Sequence, residues 1–238
     1  MKVAMWSGPR NLSTALMYAF GSRADFHVHD EPFYGPYLRR TRLPHPMARQ
    51  IMDDRYETAR EMSAILRGPV PGGKPHAYHK HMCQHMISGI PRDFMAECKH
   101  VFLLRHPARV VASFSKGYEN PTAADIGFAA QAEVYDHVLS LGLTPIVMDS
   151  ADIRANPEAR LRDLFAALGL DFDPAMLAWP LGGHPADGIW AAHWYREVHR
   201  STGFAGAEGP LPALDAAGTA LVEEAMPHYE KMRACLAA

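Results

Sequence analysis

The chain has 238 residues, 48% apolar and 21% charged, which is enough for one large domain with a packed core. Its formal net charge of −2 gives no electrostatic basis for binding nucleic acid or an anionic membrane, and no apolar run reaches the length of a membrane span. The first residues lack the pattern of a secretory signal, and Cys83, Cys98 and Cys235 lack metal-type spacing, so reduced thiols in a cytoplasmic protein are expected.

In chain order, residues 3–6 read as a short strand, and residues 7–14 as a tight turn of small and hydroxylated residues carrying one cation, Arg10. An apolar helix is predicted over 13–21. A strand, a tight turn and a helix N-terminus together make an anion site, because backbone N–H groups converge there and the helix dipole favours negative charge. No Gly-Lys-[Ser/Thr] is present, so the turn is not a Walker A. Further strands are expected at 26–29, 76–82, 100–104 and 144–148, with helices at 47–67, 108–116, 123–141, 157–168 and 214–236. Apolar runs alternating with helical patterns predict an α/β fold: a three-layer sandwich on a mainly parallel sheet of about five strands. The whole of 1–238 is read as one domain, with 32–75 an excursion that could roof a pocket and 182–212 a long ordered loop whose aromatic residues must pack. The runs Arg39-Arg40-Thr41-Arg42 and Arg154 to Arg162 read as local solvated faces.

In an open parallel sheet, ligands gather at the carboxyl ends of the strands. There this sequence places Arg10, Ser13 and Thr14 after the first strand, Asp30-Glu31 after the second, Lys80-His81 at the third, Arg105 after the fourth and Asp149 after the fifth. Arg10, Lys80 and Arg105 would face one anion. Pro107 suits a first helical turn behind Arg105, and Ser113 is a hydroxyl within the apolar stretch that follows. It would either bond a backbone carbonyl one turn back or help Arg105 clamp a phosphate.

Pro9-Arg10-Asn11-Leu12-Ser13-Thr14 resembles the 5′-phosphosulfate loop of sulfotransferases. Arg105-His106-Pro107 with Val110-Val111-Ala112-Ser113 resembles that family's 3′-phosphate motif. Asp149 to Ile153, Asn156-Pro157-Glu158 and Leu164 to Leu170 are similar to the stretch that follows there. The resemblance implies a P-loop-like sandwich, 3′-phosphoadenosine 5′-phosphosulfate as sulfuryl donor, adenosine 3′,5′-bisphosphate as product, and no metal. It assigns the donor to Pro9, Arg10, Asn11, Leu12, Ser13 and Thr14 at one end and to Arg105 and Ser113 at the other, with Arg200 and Ser201 as late contacts. Leu12 stands where the family has Gly, the residue that supplies positive φ, so it either alters the cradle or turns its side chain away.

The resemblance puts the acceptor base on a His after the third strand or a Glu after an early one, hence His81 or Glu31, with Arg10 and Lys80 as catalytic cations. Alternation sets His79 and His81 on one strand face and Lys80 on the other. A His-x-His pair with His85 or Asp30 also raises a metal reading, although no spaced carboxylate completes a signature. The expected partner is a small-molecule acceptor, with Trp190, Trp194, Tyr195, Tyr34 or Tyr37 available to line its pocket. Two other readings stay open: a P-loop kinase or hydrolase using Asp30 or Asp149 for Mg²⁺, and a non-catalytic nucleotide- or anion-binding protein on the same fold.

Overall fold

The computed structural model describes residues 1–54, 57–118 and 120–236. β1 (Lys2–Ser7) is buried along nearly its whole length, as a central strand of a parallel sheet must be. It is followed by α1 (Ser13–Gly21), the predicted helix, in which Ser13 and Ala15 to Phe20 are buried. Next come β2 (Phe26–Asp30), then the excursion with α2 (Tyr34–Thr41), α3 (Ala48–Asp54) and α4 (Ala59–Arg67), then β3 (His76–Met82) and β4 (Lys99–Leu104). After these lie α5 (Pro107–Phe114), α6 (Ala123–Ile126), α7 (Phe128–Ser140), β5 (Ile146–Asp149), α8 (Ser150–Ala155) and α9 (Pro157–Leu168). The late segment holds α10 (Ala191–Trp194) and α11 (Arg196–His199), and α12 (Ala216–Arg233) closes the chain.

The five strands form one parallel sheet in the order β2-β3-β1-β4-β5. Val3, Met5, Tyr78, Val101 and Leu103 face one apolar layer with α1, α3 and α9. Ala4, Trp6, Phe102 and Leu104 face the other, built from α4, α5, α7 and α12. β1 has neighbours on both sides, so the connections leaving β1 and β4 part in opposite directions and open a crevice at their carboxyl ends. Ser7 is in register with Leu103, which sets Arg10 and Arg105 on the two lips of that crevice.

The departures from the sequence reading have local causes. The helix expected over 47–67 is two helices. Thr58 starts the second with a capping box, its side chain accepting from the Glu61 N–H and its own N–H donating to the Glu61 carboxylate. The helix expected over 123–141 breaks at Gly127, whose φ of 75° stops α6 and starts α7. α2 and α8 were not expected. Gly35 and Pro36 disguise the first, and the second is short and is capped by Asp149. Among the described residues, no helix is long and apolar enough to cross a membrane.

Candidate functional site

The turn after β1 is held in an unusual backbone shape. Arg10 has φ 62° and Leu12 has φ 70°. Left-handed residues alternating with ordinary ones point successive N–H groups to one side, the geometry of an anion nest. Leu12 therefore does not alter the cradle. It adopts the conformation that Gly would supply, at a cost of about 1–2 kcal/mol, and its side chain packs half-buried against the core. Asn11 locks the turn to the neighbouring strand by donating to the Leu103 carbonyl at 3.0 Å. α1 begins with no side-chain cap and no acidic residue in its first turn, so its free N–H groups face whatever fills the crevice.

The two anion cradles expected from the sequence are one continuous structure. Arg10 Nε donates to Ser113 Oγ at 2.9 Å, so the Ser113 hydroxyl is engaged across the crevice rather than on its own helix. Arg105 donates to the Arg10 carbonyl at 2.6 Å. Burial, and then the like charge of Arg105, lower the Arg10 pKa. Behind Arg105 lies Glu208, a side chain only 4% exposed that pairs with Arg105 at 2.5 Å, Arg154 at 2.8 Å and Arg109 at 3.0 Å.

The ends of β2 and β3 bring the titratable groups. Asp30 and Lys80 are in register on adjacent strands. The buried Lys80 ammonium donates to Glu31 Oε1 at 2.6 Å, Asp30 Oδ1 at 3.0 Å and the Tyr195 hydroxyl at 2.5 Å. Burial alone would lower the Lys80 pKa, but the two carboxylates outweigh it and leave the pKa raised. Burial pushes the Asp30 carboxyl up, with Glu31 adding to the rise and Lys80 opposing it. The Tyr195 phenol is held far above its ordinary pKa by burial and by both carboxylates, so it stays protonated. Its one proton is nearest Asp30 Oδ1 at 2.8 Å. Glu31 adopts φ 41°, a strained backbone that aims it past the sheet edge. Two carboxylates against one ammonium leave the cluster one negative charge in surplus, and Glu31, unlike Asp30, lines the open cavity.

That cavity has a volume of about 890 Å³, in the upper part of the range for small-molecule sites. Pro9, Arg10, Asn11, Leu12, Ser13, Thr14, Glu31, Lys80, Arg105, Ser113, Arg200 and Ser201 all line it. His81 does not. It points to the opposite sheet face, fully buried and stacked on Trp6 with ring centroids 4.4 Å apart. Burial, then neighbouring His100, keep its pKa far below that of a free imidazole. His81 is a core residue, and the alternation that separated it from Lys80 put Lys80 on the side of the cavity. The Ser201 hydroxyl is already used, accepting from Trp179 Nε1 at 3.2 Å and donating to the Val198 carbonyl at 2.8 Å. Among the described residues, no group of three or more His, Cys, Asp or Glu is arranged to hold a metal.

The profile of the sulfotransferase domain family matches residues 1–236. The chain belongs to the sulfotransferase domain family. Two curated Arabidopsis thaliana proteins, branched-chain-amino-acid aminotransferase-like proteins 2 and 1, are each 32% identical to it over 229 residues, or 96% of this chain. The chain spans about two fifths of their length (40% and 41%). A solved sulfotransferase domain from the curacin biosynthetic pathway shares the fold, with a TM-score of 0.56 at 16% identity, covering 93% of this chain and 96% of that one. The P-loop-like α/β sandwich expected from the sequence is therefore the fold of this sulfotransferase domain.

Several residues that line or brace this cavity carried little or no sequence signal. Tyr195 was expected as one of several aromatics that could line a pocket, which it does, but nothing marked its bonds to Lys80 and Asp30, or Glu208 or Asp125. His45 and His85 also line the cavity, against Tyr34. His85 lies three residues beyond β3 and was weighed only as a metal ligand.

Proposed function

We propose that this sulfotransferase domain moves a sulfuryl group from 3′-phosphoadenosine 5′-phosphosulfate to a hydroxyl or amine of a small acceptor by in-line displacement. The observation that carries the reading is that the Arg10 turn, the Arg105–Ser113 pair and the Glu31–Lys80 cluster share one cavity. The residues fit the donor. The positive-φ turn and the uncapped N-terminus of α1 offer N–H groups and a cation to a phosphosulfate, and Arg105 with Ser113 gives the 3′-phosphate a separate hold.

When bound, the donor supplies a sulfuryl group already activated by its phosphate leaving group. The protein then has three tasks. Glu31 accepts the acceptor's proton, which neutralises the surplus charge of its cluster. Lys80 fixes Glu31 Oε1, and the Tyr195 hydroxyl fixes Lys80 in turn. Arg10, Ser13, Thr14 and the α1 N–H groups stabilise charge growing on the bridging oxygen. The acceptor–sulfur bond forms as the sulfur–phosphate-oxygen bond breaks, and the bisphosphate leaves with the electron pair.

The kinase reading is disfavoured by the fate of its carboxylates. Asp149 caps α8 and accepts from the Tyr229 hydroxyl at 3.1 Å, outside the cavity lining, and Asp30 is bound to Lys80. Calorimetric titration decides between the readings. Tight binding of adenosine 3′,5′-bisphosphate without Mg²⁺, and none of ATP, is expected. Glu31→Gln should keep that binding and lose about 10²–10⁴-fold in turnover, the range of a removed general base. Binding of ATP that requires Mg²⁺ would overturn the proposal.

A further inference from the structure

Beyond the donor residues the cavity opens into a chamber walled by rings. Tyr34 stacks on His85 with centroids 4.7 Å apart, and Tyr37 lies 4.8 Å from the same imidazole. The Tyr34 hydroxyl faces the Trp194 side chain. The Trp194 ring is parallel to Phe114 at 6.5 Å, and Phe114 lies 5.2 Å from Tyr118. Tyr118 and Tyr37 line the same cavity. All six residues line the cavity, and they come from the excursion, the turn after β3, the end of α5 and the late segment.

The charges on this wall have one sign. Asp125 lines the chamber and acts on both Tyr37 and His45, and Glu31 acts on Tyr34 and His45. Asp125 takes both bonds from Thr122, its N–H at 2.8 Å and its hydroxyl at 2.7 Å, on Oδ2, which leaves Oδ1 open. The two histidines add no positive charge, since burial holds both below the ordinary imidazole pKa. Lys80 is spent on Asp30 and Glu31. The arginines of the cavity lie in the turn after β1, after β4 and at the end of α11. A wall of aromatic side chains with an open carboxylate and, among the described residues of that wall, no cation attracts a desolvated positive charge, because ring faces can replace water around it.

We propose that the acceptor is a small cationic alcohol, whose ammonium or alkylammonium group sits against this wall beside Asp125 while its hydroxyl reaches Glu31. The inference rests on the sulfuryl-transfer reading for the role of Glu31, and on the chamber alone for the charge of the ligand. Its test is therefore a binding measurement.

Choline and its uncharged carbon isostere, neohexyl alcohol, are titrated into the full chain by calorimetry, with and without adenosine 3′,5′-bisphosphate. The expected result is at least about ten-fold tighter binding of choline. Asp125→Asn and Trp194→Leu should each shrink that preference, while bisphosphate affinity stays within about two-fold of wild type because neither side chain belongs to the anion cradle. Equal or tighter binding of the neutral alcohol, or binding of neither, overturns the cationic acceptor whatever the nucleotide does. Failure of the bisphosphate to bind while choline keeps its preference overturns the donor assignment alone.

Discussion

Replacing Lys80 by Met tests the buried cluster most severely. The Lys80 side chain is 1% exposed, Asp30 0% and Glu31 9%. The change removes the ammonium bonded to both carboxylates and leaves two carboxyl groups facing each other, Asp30 fully buried and Glu31 at the cavity wall. Breaking a buried pair from one side costs about 3–5 kcal/mol. For a chain of this size each kcal/mol moves the melting temperature by roughly 2–4 °C, so a fall of roughly 6–20 °C is expected at neutral pH. The loss should depend on pH. Asp30 already has a raised pKa from burial, and without Lys80 it rises further. A carboxyl whose folded pKa lies above its unfolded value binds its proton more tightly in the folded state. The contribution of that protonated form is present below the unfolded pKa and is lost as pH rises through the folded one. The variant should therefore regain stability as pH falls from neutral toward the ordinary carboxylate range, and be weaker at neutral pH than in acid. Urea denaturation of both proteins across that window measures the difference. A loss under about 1 kcal/mol, the level of an exposed ion pair, or a loss independent of pH, would refute the claim that this ammonium holds two desolvated carboxylates.

Tyr195→Phe should cost about 1–3 kcal/mol in denaturation, because Trp190 Nε1 and Lys80 both lose the oxygen they donate to. It should also move the acid limb of the turnover–pH profile, a readout that lost packing alone would leave in place. Glu208→Gln should cost about 3 kcal/mol, the low end for a broken buried pair since its arginines keep some contact with water, and should weaken bisphosphate binding because Arg105 loses its support from behind. Arg109→Ala, which removes one partner of Glu208 but leaves Arg105 paired, should weaken that binding less; an equal effect of the two variants would show that Glu208 does not act through Arg105.

What the sequence disclosed follows the range of the forces involved. β1 and β4 were legible because strands buried on both faces read as unbroken apolar runs, Val3 to Trp6 and Val101 to Leu104. The Arg105–Pro107–Ser113 spacing was legible because strand end, helix start and helix face lie within nine residues of one another. Alternation separated Lys80 from His81, but nothing local says which sheet face looks onto the cavity. That depends on which helices cover each side, so His81 remained a candidate base until the layers were known. Leu12 read as a departure because its φ is imposed from outside. Asn11 bonding Leu103 across to β4 holds the turn in a shape the Leu12 side chain would not choose. Tyr195, Trp194, Glu208 and Asp125 reach the site from segments far along the chain with no motif around them. The folding of the late segment over the crevice brings Tyr195 to Lys80 and Glu208 to Arg105, and Asp125 reaches the cavity on α6.

The central claim is that Arg105 reads a 3′-phosphate in the same cavity where the Arg10 turn holds the 5′ group. The most direct measurement is a binding cycle: wild type and Arg105→Ala, each titrated with adenosine 3′,5′-bisphosphate and with the 5′-monophosphate. Wild type should favour the bisphosphate by about 1.5–3 kcal/mol, the value of a charge-assisted bond, and Arg105→Ala should remove most of that preference while weakening the monophosphate less, through the lost bond to the Arg10 carbonyl. If wild type does not distinguish the two nucleotides, or if the substitution weakens both equally, the account is contradicted.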